Sequence, residues 1–120
     1  MTWKVLFHDE FETEFKELPP EVQDELLAYV KLLQHSGYQL RRPHADTLKG
    51  SQHSNMKELR FKARDGVWRV AYAFDPLRQA ILLVAGDKTG GSQKRFYKQL
   101  ITKADQRFND HLRQLKEKGE

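Results

Sequence analysis

MKELRFKARDGVWRVAYAF, residues 56–74, alternates apolar and polar positions with period two on either side of Asp65-Gly66. Two half-buried strands joined in a hairpin read this way. Leu59 and Phe61 share one face of the first strand, and Glu58, Arg60 and Lys62 share the other. On the second strand Trp68, Val70, Tyr72 and Phe74 form the apolar face, leaving Val67, Arg69, Ala71 and Ala73 opposite. A two-residue loop at Asp65-Gly66 pairs Arg64 with Val67 and sets Lys62 across from Arg69. A four-residue loop pairs Lys62 with Val67 and sets Arg60 across from Arg69, whereas a three-residue loop mixes the faces. Both remaining registers put two cations side by side, which is unfavourable in isolation, so a compensating anion is expected. The simpler alternative is a solvated face whose long side chains splay into water.

Upstream, Trp3–His8 reads as a first strand. Asp9 is placed to cap a helix carrying Phe11, Phe15 and Leu18 at spacings of four and three. Pro19-Pro20 ends that helix and opens a second, with Val22, Leu26, Tyr29, Val30 and Leu33 on one side and Gly37 at its end. Glu10, Glu12, Glu14 and Glu17 scatter around the first helix, so a solvated face is expected there rather than a metal site or an acid/base pair. Residues 37–55 read as a long polar loop, functional or loosely held, made positive by Arg41, Arg42 and Lys49.

Downstream, a turn near Asp75-Pro76 leads to Ala80–Ala85, a continuously apolar run that reads as a strand buried on both faces. Gly86–Ser92 lacks the glycine and lysine spacing of a P-loop and reads as a plain connection. From Gln93 to about Lys116, Phe96, Leu100, Ile101, Ala104, Phe108, Leu112 and Leu115 form a helical stripe. Lys94, Arg95, Lys98, Lys103 and Arg107 fall on its other faces.

With 120 residues and 38% hydrophobic content, the chain is expected to be one domain, 1–120, with a modest core. It has no cysteine, and His8, His35, His44, His53 and His111 show no metal-ligand spacing, so neither a metal nor a cofactor is expected. No apolar run approaches a membrane helix and Met1–Lys4 shows no signal pattern, which points to the cytoplasm. Charge is divided along the chain. Residues 1–30 carry two lysines against eight acids, a net of −6, and the remaining 90 carry nineteen cations against nine acids, a net of +10. Such a basic side suits a nucleic acid or another polyanion.

The order strand, helical hairpin, antiparallel three-stranded meander and C-terminal helix, with a basic sheet face, resembles the RelE/ParE superfamily of bacterial toxins, an α+β fold. LRRPHADTLKGSQHSNMKELRFKARDGVWRVAYAFD (40–75) and LLVAGDKTGGSQKRFYKQLI (82–101) resemble the HigB, phage Gp49-like branch. The resemblance implies a metal-independent endoribonuclease toxin that cleaves mRNA, in association with the ribosome, by attack of a 2′-hydroxyl on the adjacent phosphate. It also implies a HigA-like helix-turn-helix antitoxin that reads the operator DNA in the toxin's place. Motif by motif, it implies a catalytic set of Arg60, Lys62, Arg69, Lys88 and Tyr97, with histidine use in some HigB enzymes bringing in His53 as a second-tier candidate.

In that set Arg69 would bind phosphate through its planar fork, and Arg60 would supply electrostatics. Lys62 or Tyr97 would act as base, and Lys88 would stabilise charge or protonate the leaving group. Tyr97 could instead stack on a base. Arg41, Arg42, Lys49, Lys94 and Arg95 would extend RNA binding. The chain departs from the pattern at Lys88, where many relatives have arginine, and at Thr89–Ser92, which lengthens the path to Tyr97. The competing functions are a ParE-like poison of DNA gyrase and a noncatalytic RNA-binding relative.

Overall fold

The computed structural model describes residues 2–119; Met1 and Glu120, the ends of the expected domain, lie outside them. The chain runs β1 (Val5–Phe7), α1 (Asp9–Lys16), α2 (Pro20–Ser36), a 3-10 turn (Gly37–Gln39), β2 (Ala45–Thr47), β3 (Lys57–Ala63), β4 (Gly66–Phe74), β5 (Ala80–Asp87) and α3 (Gln93–Gly119). The strands form one sheet in the order β1-β5-β4-β3-β2, parallel between β1 and β5 and antiparallel elsewhere. The expected meander is therefore the middle of a five-stranded sheet, extended by β1 on one side and by β2, three residues within the supposed loop, on the other.

The hairpin adopts the register that sets Arg60 opposite Arg69 and Lys62 opposite Val67, and it pairs further, to Ala63 opposite Gly66. Its loop is thus Arg64-Asp65, at φ +50° and +63°, left-handed at both positions as a type I′ turn requires. Asp65-Gly66 is not the turn. Gly66 lies in β4 in a crowded place: a Cβ there would lie 2.9 Å from Asp87 Oδ2 and 3.0 Å from Trp68 Nε1, so those side chains would have to shift.

Because side chains alternate across each strand, the sheet separates two cores. On one face Leu59, Phe61, Val70, Tyr72, Phe74 and Leu82 pack against Phe11, Val22, Leu26 and Leu33 of the helical hairpin. On the other, Ala71, Ala73, Ile81, Leu83 and Val84 meet Leu100, Ala104 and Phe108 of α3. Tyr72 is fully buried in the first core, and its hydroxyl has no hydrogen-bond partner among the described residues. Burial raises its pKa, so the group stays neutral and contributes only its desolvation cost. Tyr72→Phe is therefore expected to be neutral or to stabilise by up to about 1 kcal/mol, measured as the urea midpoint at constant m-value.

Several local expectations are corrected. His8, not Asp9, caps α1, its Nδ1 accepting from the Glu10 amide at 3.2 Å. Residues 48–56 are not loosely held: Leu48 and Met56 are buried against α3, and the Asp105 carboxylate accepts from Ser51 Oγ and, at 2.9 Å, from the Gln52 amide. Arg107 is buried, 5% exposed, rather than on an outer face. It follows Ala104 by three residues and precedes Phe108, so the helical repeat turns it inward with them.

Arg107 is met there by an irregularity in β5. Ala71 faces Val84 and Tyr72 faces Leu82, leaving Leu83 without an opposite residue, which is a β-bulge. The Leu83 carbonyl accepts from Arg107 Nη1 at 2.8 Å, and the same nitrogen donates to Glu14 Oε1 at 2.9 Å. Glu14 is thus an ion-pair partner rather than a purely solvated acid, and the guanidinium holds its carboxyl below the ordinary range. No helix among the described residues is long and apolar enough to cross a membrane.

Candidate active site

Small residues decide where α3 lies. Ala71, Ala73 and Ala104 are all fully buried, so the helix sits close over β4 and β5. Gly86 lies beneath Phe96, where a Cβ would come 2.7 Å from the ring. Seating Phe96 on β5 turns Tyr97, about 100° further around the helix, toward the part of the sheet that α3 leaves open. Glu58, Arg60 and Arg69 project from that open part. Together with Tyr97, β2 and the segment at Lys49 they bound a cleft of about 540 Å³.

Within the cleft, Arg69 Nε donates to Tyr97 Oη at 2.7 Å, and Tyr97 donates to Glu58 Oε1 at 3.0 Å. Arg69 Nε is 3.5 Å from the same Glu58 oxygen, with side-chain exposures of 9% and 8%, so this ion pair is nearly dry. Asp46, directly opposite Glu58 in the β2–β3 ladder, places Oδ2 2.9 Å from Arg42 Nε and 3.6 Å from Arg60 Nη1. The side-by-side cations of the hairpin are therefore each matched by a carboxylate of the protein itself.

Those two carboxylates are driven apart in acidity. Burial pushes Glu58 above the ordinary value, against the opposing influence of the Tyr97 hydrogen bond and Arg69. The Thr47 amide, with Arg42 and Arg60, holds Asp46 below it. Tyr97 is raised, first by burial and then by Glu58. Neighbouring acids tuned in opposite directions suit different tasks, one as a group that stays ionised and the other as a proton carrier.

Of the residues anticipated from the sequence, Arg60, Arg69, Lys88, Tyr97, Arg42 and Lys49 come together around this cleft. Lys62 is exposed in an adjoining groove of about 430 Å³, which shares Arg42, Arg60 and Arg69 with the cleft. The Lys88 amide donates to the Val67 carbonyl at 2.7 Å, fixing the departure of the loop after β5. Lys94 and Arg95 line a groove on the outer face of α3 with Lys98 and Lys103, and Arg41 is exposed outside both cleft and groove. His53 is elsewhere, with Nε2 2.8 Å from Asn109 Oδ1 and its ring edge-on to Phe108 at 4.9 Å.

Glu58 and Asp46 were not anticipated. Glu58 had a legible signal, since it shares the cationic face two residues before Arg60. Asp46 had none, because β2 itself was unseen. Apart from the cleft, His8, Glu10 and Asp110 bring ligand atoms within 4.8 Å of one another. Glu10 is also 3.5 Å from the Arg107 guanidinium there, which opposes a cation.

This architecture is a RelE-like fold. The free-state structure of a double arginine-to-alanine mutant of E. coli toxin RelE superposes with a TM-score of 0.58, covering 86% of this chain and 97% of that one at 14% identity. In sequence, the phage-derived Gp49-like family matches residues 13–109. Toxin HigB2 of Mycobacterium tuberculosis (strain ATCC 25618 / H37Rv) is 41% identical over 102 residues, 83% of this chain and 50% of that protein. HigB3 of the same strain is 47% identical over 83 residues, 69% of this chain and 70% of that protein. The chain thus spans half the length of HigB2 and somewhat more of HigB3. It belongs to the phage-derived Gp49-like family, alongside the HigB toxins it matches in sequence.

Proposed function

We propose that this chain is the toxin of a type II toxin–antitoxin pair and an endoribonuclease that cuts mRNA on the ribosome. The observation that carries the proposal is the Arg60–Arg69 pair set beside a part-buried Glu58–Tyr97 hydrogen bond in an open cleft. Arg69 and Arg60 hold the non-bridging oxygens of the scissile phosphate and take up the charge that gathers there. The 2′-oxygen attacks phosphorus in line with the 5′-oxygen, the new O–P bond forming as the old one breaks. Its proton passes to Tyr97 Oη as the phenolic proton moves to Glu58, so the tyrosine remains neutral throughout. Lys88 gives a proton to the departing 5′-oxygen, leaving a 2′,3′-cyclic phosphate and a 5′-hydroxyl.

Lys62, placed in the adjoining groove, serves a neighbouring phosphate rather than proton transfer. Arg42 and Lys49 grip the strand at the rim. Arg41, Lys94 and Arg95 offer charge to RNA outside the cleft, and His53 takes no part in the chemistry. A HigA-like antitoxin with a helix-turn-helix domain silences the protein in the cytoplasm, where its substrate is.

Glu58 must be ionised to accept the proton. Its pKa is raised, so cleavage is expected to slow as pH falls through a point above the ordinary 4.5. Glu58→Gln should lose that limb of the single-turnover pH–rate profile and be slower by about 10²–10⁴-fold. In cells, primer extension after brief induction is expected to reveal new mRNA ends inside translated codons. Growth arrest with DNA damage and intact mRNA would replace this reading with the gyrase poison. Binding of RNA without any new ends would replace it with the noncatalytic relative.

A further inference from the structure

We infer that Asp46 is a built-in competitor of the RNA phosphate: its carboxylate holds Arg42 and Arg60 in the free protein, and these arginines must leave it when a strand fills the cleft. The inference rests on the RNA reading and names a residue that sets the affinity and release of that same site. A carboxylate and a phosphate present similar paired oxygens to a guanidinium, so the arginines cannot serve both fully.

The geometry makes Asp46 the exchangeable member of the two carboxylate–arginine pairs. Glu58 is buried and engaged by Tyr97 as well as Arg69. Asp46 stands on the edge strand, its side chain 27% exposed, and Arg42 is 76% exposed and bonded to it through Nε. The contact to Arg60 is longer, 3.6 Å. The carboxylate itself stays in place, because Oδ1 accepts from the Thr47 amide at 2.8 Å. The arginines therefore leave it, rather than it leaving them. Arg42 and Arg60 also lie where the cleft and the Lys62 groove join, so a strand running from one to the other passes directly over the contested pair.

A competitor at that point weakens the hold on both substrate and product. Asp46→Asn is isosteric and retains the oxygen that accepts from Thr47, but removes the competing charge. With a single-stranded oligonucleotide bearing 2′-O-methyl groups at every ribose, which cannot be cleaved, the variant is expected to bind about three- to tenfold more tightly than wild type. Its log K should fall more steeply with log salt, by about 0.7 for one additional phosphate charge neutralised. With a cleavable strand in excess, the ratio of its steady-state rate to its single-turnover rate should fall below that of wild type, because release becomes slower.

Arg42→Gln is expected to bind more weakly than wild type and, combined with Asp46→Asn, to remove most of the gain. Equal or weaker binding by Asp46→Asn, with an unchanged melting temperature, would overturn the inference and make Asp46 an organiser of the arginines. If wild type fails to hold the oligonucleotide even at low salt, both free and as the mRNA of a programmed ribosome, or holds it no better than Arg69→Ala does in either setting, the RNA reading itself falls.

Discussion

Arg69→Ala is expected to reduce single-turnover cleavage by about 10²–10³-fold, the usual consequence of removing one preorganised donor from a developing anion. Three losses combine at this position. The phosphate loses its buried guanidinium, and Tyr97 loses the Nε–H that holds its oxygen at 2.7 Å. Glu58 also loses its ion-pair partner, which opposes the effect of burial on its acidity. The acid limb of the remaining activity should accordingly move to higher pH. Arg69→Lys separates the contributions, since it restores charge but not the planar fork; it should recover part of the rate. Thermal melting of each variant checks that the fold survives, and a melted Arg69→Ala protein would transfer the comparison to Arg69→Lys. A folded Arg69→Ala protein that cleaves as fast as wild type would remove Arg69 from the mechanism.

Arg107→Met is expected to give the largest stability effect, about 2–3 kcal/mol of destabilisation. Methionine retains the apolar stem but leaves the buried Leu83 carbonyl without the side-chain donor that now meets it at 2.8 Å. The Glu14 side chain is 42% exposed and can turn to water, so its loss of a partner adds little. In a domain of this length such a change lowers the melting temperature by about 10 °C. Glu14→Gln should cost less than about 1 kcal/mol. Cleavage per folded molecule should be the same for both variants, since neither side chain touches the cleft. A drop of only one or two degrees for Arg107→Met would show that the bulge carbonyl finds another donor.

Period-two alternation in residues 56–74 was sufficient to identify the central hairpin, its two faces and the cations they carry. It could not choose the register, because Asp65-Gly66 is the more familiar turn pair and the real turn uses Arg64 and Asp65. Gly66 sits instead within β4, opposite Ala63, where a Cβ would come 2.9 Å from the carboxylate of Asp87 on β5. β2 escaped notice because three residues without alternation or β-branched enrichment carry no periodic signal. Their pairing with β3 is imposed by tertiary context. Asp46 and its hold on two arginines were hidden with it. Glu58 was in view but passed over, since a glutamate among lysines and arginines reads as a solvated neutraliser until Tyr97, 39 residues away, is placed over it. The helical stripe likewise seated Phe96 and Phe108 correctly but could not reveal the β5 bulge that gives Arg107 a buried acceptor.

The division of the interior by the sheet has a consequence for how such a sequence can change over generations. The core beneath α1 and α2 lies on the side of the sheet away from the cleft, with Phe61 alone of its residues named above lining the Lys62 groove, so its other side chains are expected to be exchangeable for ones of similar volume with little effect on cleavage. The α3 core has no such freedom. A larger residue at Ala71, Ala73 or Gly86 would lift the helix and carry Tyr97 away from Glu58 and Arg69, disabling the protein without unfolding it. Inactivated descendants are therefore expected to carry their first lesions at these small positions, while the opposite core drifts at the pace of an ordinary scaffold.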